Sequence, residues 1–178
     1  KMETPKANAY MVWHNESLPY TLEKSIQMDM AAQVLSMLYL KEIREEASAA
    51  YSCGAYGGSS LADDGYKSYQ LVGVCPMKPE KKDIALKIMT EEADKLANAC
   101  DAEMLGKVKA VMLKQIDDKA KTNSFWNSTI YEYDKLGIDT YTDYKKLVEA
   151  QTPQSISAFV KAFLATGSKI TVVMLPKE

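Results

Sequence analysis

The sequence predicts an α+β fold: a mostly antiparallel sheet with helices packed chiefly on one face. Three observations carry that expectation. The elements run strand, helix, strand, strand, several helices, strand, so they cluster rather than alternate as a parallel α/β fold requires. Ala49–Tyr56 and Tyr66–Cys75 are strand-like stretches separated by Gly57-Gly58-Ser59-Ser60 and Asp63-Asp64-Gly65, which read as the long polar loop of a hairpin. The chain has 178 residues, against about 150 for a typical domain, and shows no repeat and no linker-like segment. Residues 1–178 therefore read as one domain.

Each element has its own signal. Ala7 to His14 is an apolar run bounded by Pro5 and Asn15, read as a strand buried on both faces. From Thr21 the period changes: Leu22, Ile26, Met30, Val34 and Leu38 recur every four residues, predicting an amphipathic helix to about Glu46. Glu23, Lys24, Gln27 and Asp29 fall between them, on the polar side. Strands are expected at roughly 7–14, 49–57, 66–75 and 169–175. Pro79 suits the first turn of a helix buried through Ile84, Ile88, Leu96 and Cys100. Asp101 is a natural N-cap for the next, whose stripe is Leu105, Val108, Met112 and Ile116. A helix from Asn123-Ser124 carries Trp126, Ile130 and Tyr133 and stops at Gly137. A short helix spans Tyr144–Ala150. Thr152-Pro153 caps a helix buried through Ile156, Val160 and Phe163, Gly167 ends it, and Ile170–Leu175 is the last strand.

Composition removes several function classes. Lys+Arg is 22 against Asp+Glu 24, a net charge of -2, which argues against a nucleic-acid binder. No apolar run reaches the ~20 residues that span a bilayer, so no membrane role is expected. Cys53, Cys75 and Cys100 have no CxxC spacing and read as small buried hydrophobes. His14 is the lone histidine, in an apolar strand, and reads as a structural or edge-strand residue. Gly57-Gly58-Ser59-Ser60 lacks the closing glycine of a nucleophile elbow, and Gly106-Lys107 lies inside a helix. Tyr131, Tyr133, Tyr141 and Tyr144 read as lining a half-buried surface. No self-contained active site emerges.

The lone arginine stands apart. Arg44 ends the long helix, and Tyr51 follows at the start of a strand. Arginine is favoured over lysine where a planar, permanently charged fork must grip oxygens; a salt bridge with Glu45 or Glu46 is the simpler role. The stretch Leu38–Ser52, with Ile43-Arg44-Glu45 and Tyr51-Ser52, resembles a segment of the pitrilysin/insulinase family of zinc metallopeptidases. Glu3-Thr4-Pro5-Lys6-Ala7-Asn8, Lys121-Thr122-Asn123-Ser124-Phe125-Trp126, and Thr152-Pro153 with Ile170–Pro176 are similar to stretches of its bacterial branch, in the right order.

The resemblance implies repeated α+β domains enclosing a chamber, with an inverted His-x-x-Glu-His zinc motif in the first. This chain lacks that motif and so resembles the C-terminal, non-zinc domain, without the first strand and helix such domains usually have. By position, Arg44 and Tyr51 correspond to the pair that reaches across to the zinc site: Tyr51 catalytic, Arg44 and Tyr51 substrate-binding. The expected function is that of the substrate-binding, oxyanion-contributing domain of a zinc-dependent metalloendopeptidase. The alternative is a non-catalytic scaffold or partner subunit of the same fold. Alone, the chain is expected to be inactive and to hold no cofactor, zinc residing in the parent enzyme's catalytic domain. Expected partners are zinc-bearing N-terminal domains of the same chain or a partner subunit, a peptide substrate, and a second copy through an open sheet edge. The compartment is left open between periplasm and cytoplasm.

Overall fold

The computed structural model describes residues 5–62 and 64–176. Four strands, β1 (Ala7–Asn15), β2 (Gly54–Leu61), β3 (Lys67–Met77) and β4 (Ser168–Met174), form one sheet in the order β2-β3-β1-β4. Every pair is antiparallel. The helices are α1 (Leu22–Tyr39), α2 (Lys82–Asn98), α3 (Ala102–Lys119), α4 (Asn123–Leu136), α5 (Tyr144–Ala150) and α6 (Pro153–Thr166). The α+β expectation holds. Glu3, Thr4 and Asp63, which the sequence reading used, lie outside the described residues.

Strand β1 is not buried on both faces. Ala7, Ala9, Met11 and Trp13 are buried against the helices, whereas Tyr10 is exposed and Val12 and His14 are half-buried on the far face. Side chains alternate across a strand, and no helix among the described residues covers that second face, so the apolar run reflects one packed side and one lightly shielded one. His14 accordingly sits on the open face of an interior strand, not on an edge.

Helix α1 starts at Thr21, whose hydroxyl oxygen accepts from Lys24 N at 3.1 Å. It packs on β2 and β3 on one side and on α2, α3, α5 and α6 on the others. Its burial is therefore wider than one stripe. Ile26, Met30 and Val34 are buried as expected, but so are Met28, Ala31, Ala32, Leu35 and the polar Gln27. The Tyr39 hydroxyl reaches across to donate to Met89 O of α2 at 2.8 Å.

The hairpin differs most from its sequence reading. Gly57-Gly58-Ser59-Ser60 is not a loop but the middle of β2, which starts five residues later than expected and leaves only the tight turn before β3. A Cβ on Gly57 would stand 2.8 Å from Met28 O and 3.0 Å from Ala32 Cβ. The glycine lets α1 lie directly on the strand.

The remaining helices follow their signals unevenly. Asp101 caps α3, accepting from Met104 N at 2.8 Å, and Leu105, Val108, Met112 and Ile116 are all buried. Thr152 and Ser155 form a reciprocal capping box at α6, with Pro153 in the first turn. In α2 the buried side is Ala85, Met89, Glu92, Ala93 and Leu96, and Ile84 is exposed. In α4 no residue is buried; Trp126, Ile130, Tyr131 and Tyr133 are exposed, while Tyr144 is half-buried. Cys75 and Cys100 are buried and Cys53 is half-buried.

Candidate functional site

Helix α1 widens rather than stops. Leu40–Glu46 is a π-helical turn, closed by Ala47 N donating to Glu42 O at 3.0 Å. Such turns are rare and concentrate at functional sites. Ile43 is fully buried and anchors the turn, which leaves Arg44, Glu45 and Glu46 facing outward. Ser48 then takes a left-handed backbone, φ +48°, at a cost of roughly 1–2 kcal/mol for a residue with a Cβ.

That reversal pins the following segment to the end of the sheet. Ala49 N donates to Ile43 O at 2.9 Å, Lys78 N donates to Ala49 O at 3.2 Å, and Ala50 pairs with Met77 as an isolated antiparallel bridge. An open cleft of about 450 Å³ lies there, lined by Arg44, Tyr51, Met77, Lys78, Pro76 and Lys6 among others. That volume falls within the ordinary range of small-ligand pockets.

The structure thus places both sequence-predicted site residues on one cleft. Tyr51 is 83% exposed, so its ring is no part of the core. Among the described residues, Arg44 forms no ion pair, despite Glu45 and Glu46 beside it. Cys53 lies just behind: its thiol donates to Tyr39 O at 3.0 Å, and burial pushes it up while the Arg44 charge partly offsets that. Sequence reasoning missed Lys6 and Lys78 as lining residues. Lys6 precedes β1 and Lys78 follows β3, and only the pairing of Ala7 with Met77 brings them to the same end.

His14 belongs elsewhere. Its Nε2 lies 2.9 Å from Glu16 Oε1, which also accepts from the Tyr66 hydroxyl at 3.0 Å. The His14 hydrogen bond, then that of Tyr66, holds the Glu16 carboxyl below its usual range. Among the described residues, no group of three or more His, Cys, Asp or Glu side chains could hold a metal ion. No helix among them is long and apolar enough to cross a membrane.

The family model described as the peptidase M16 inactive domain matches residues 1–121, more than half of the sequence. The chain belongs to that family. The pitrilysin/insulinase resemblance and the M16 assignment are the same statement. Solved structures of M16 proteins share the fold. The periplasmic protease PqqL from Escherichia coli aligns with a TM-score of 0.75 and 22% identity, over 99% of this chain and 20% of that one. The inactive peptidase domain of a candidate zinc protease from Bordetella parapertussis aligns with a TM-score of 0.71 and 17% identity, over 98% and 92%. A peptidase M16 inactive domain from Pseudomonas fluorescens gives 0.63 and 14%, over 97% and 41%. This M16 domain therefore spans about a fifth of the length of PqqL. Curated protein sequences give no significant match.

Proposed function

We propose that this M16 domain is the substrate-binding C-terminal domain of a zinc-dependent metalloendopeptidase. The observation that carries the reading is the shared cleft. A π-helical turn and a left-handed Ser48 put Arg44 and Tyr51 on one cleft, with the phenol exposed and the guanidinium unpaired among the described residues.

The described residues do not fit a zinc site, so the reading assigns the metal to a zinc-bearing N-terminal domain, in the same chain or a partner subunit. This chain's share is positioning and charge stabilisation. An extended peptide lies along the cleft with one backbone carbonyl against Arg44, whose fixed fork holds it at any working pH. The Tyr51 hydroxyl donates to the scissile carbonyl oxygen as negative charge grows there, lowering the barrier because the donor is already in place.

The test uses the assembled peptidase. Tyr51→Phe should lower kcat by about 10²–10³, by analogy with loss of one oxyanion donor. Arg44→Ala should raise KM, because it removes binding already present in the ground state. Thermal midpoints should not move, since both side chains are exposed. If both variants retain wild-type kcat/KM, the domain is a scaffold and the proposal fails.

A further inference from the structure

We infer that this cleft selects peptides carrying a carboxylate, an inference resting on the reading of the cleft as a peptide site. Three cations line it, Lys6, Arg44 and Lys78, and no carboxylate does among the described residues. A cluster of three positive charges runs against a chain whose net charge is -2. Elsewhere some lysines are closely paired, as in Lys95 with Glu92 at 2.6 Å, Lys107 with Glu103 at 2.7 Å and Lys121 with Asp118 at 2.8 Å. Lys6, Arg44 and Lys78 have no such partner among the described residues. Glu42, on the same turn as Arg44, faces Lys41 at 3.5 Å instead.

The topology forces the crowding. Ala7 and Met77 are register partners in antiparallel strands, so Lys6 and Lys78 are the next pair outward on that sheet end. Like charges directly opposite each other are unfavourable, and the Ala50–Met77 bridge brings Arg44's segment against the same edge. A ligand carboxylate relieves that repulsion on binding. Pro76 and Met77 supply an apolar floor for the chain that carries it. The carboxylate has two sources in a peptide, an acidic side chain or the free C-terminus.

The experiment is fluorescence anisotropy on the 178-residue chain with three labelled octapeptides of Ala and Ser. One has a central Glu and an amidated end, one a central Gln and an amidated end, and one a central Gln and a free carboxylate. At least one carboxylate peptide should bind about three- to five-fold more tightly than the amidated Gln peptide, within the range that exposed charge pairs provide. Which of the two does so identifies the source. The preference should fall in Lys6→Gln/Lys78→Gln, whose substituted residues are both exposed, to the share that Arg44 alone supplies, and shrink sharply in 0.5 M salt as screening shortens to a few ångströms. Equal binding of all three, lost in Arg44→Ala, overturns the carboxylate preference and keeps the peptide site. A preference undiminished in the double variant also overturns it. No binding of any peptide overturns both readings together.

Discussion

The side-chain amide of Gln27 donates to the side-chain carbonyl of Gln151 at 2.9 Å, inside the core. The same Gln151 oxygen accepts from the Ser155 hydroxyl at 2.8 Å, and its amide donates to Leu147 O at 3.0 Å and Glu23 Oε1 at 3.2 Å. One buried amide thereby joins the central helix to α5 and α6.

Gln151→Ala should cost about 1–3 kcal/mol, because it strands the Gln27 amide without a partner. Adding Gln27→Leu should recover part of that loss, since the stranded donor is then gone. Urea denaturation of the two singles and the double variant checks this. Strictly additive effects would show that the two amides are not coupled.

Gly57→Ala should destabilise the fold by about 1–3 kcal/mol, the usual cost of overfilling a packed contact. The atoms in the way are the Met28 carbonyl oxygen and Ala32 Cβ, and a backbone oxygen cannot swing aside. Gly58→Ala, where no atom lies within 4 Å, is the matched control. Equal thermal midpoints for the two variants would contradict the close approach of α1 to β2.

Burial pushes the Asp29 carboxyl up to about 6, with Lys119 offsetting part of the effect and Tyr144 nearby on α5. Between pH ~4 and 6 the folded state keeps this proton while the unfolded chain has lost it, so stability falls as pH rises. Below that window the contribution is fully present; above it, it is gone. Asp29→Asn should raise stability near pH 7.5 by about 1–2 kcal/mol, a figure discounted for the residue's partial exposure. It should also remove the corresponding downward slope between pH 4 and 6. Parallel curves for the two proteins across pH 4–8 would mean that Asp29 titrates as an ordinary surface acid.

Where one apolar stripe met one neighbour, the sequence was a faithful guide. Leu105, Val108, Met112 and Ile116 of α3 and Ile156, Val160 and Phe163 of α6 are buried as their spacing demanded, and Asp101 and Thr152 cap as their chemistry suggests. The errors have physical causes. Gly57-Gly58-Ser59-Ser60 has turn composition, but the glycine is there to admit a helix, which local propensity cannot express. Gln27 looked solvent-facing because its partner, Gln151, lies far along the chain. Trp126, Ile130 and Tyr133 repeat like a buried stripe, yet α4 contributes no buried residue. At the cleft, Arg44 and Tyr51 were legible from seven residues of separation and a family likeness. Lys6 and Lys78 required the register of β1 on β3.

The wide turn at Leu40–Glu46 is, in effect, one surplus residue stored in a helix. An ordinary helix advances about 100° per residue, and the wide turn spends one residue more on the same circuit, so trimming a single position there, such as the exposed Lys41, would let it rewind to an ordinary turn with the later side chains near their present facing. Ile43 is fully buried and cannot be rotated outward cheaply, so a further residue inserted here, with no second wide turn to absorb it, would set that anchor against the outward aim of Arg44. Substitutions along this turn can therefore be absorbed one at a time. The turn can give up its one surplus residue, but it has no room for a second.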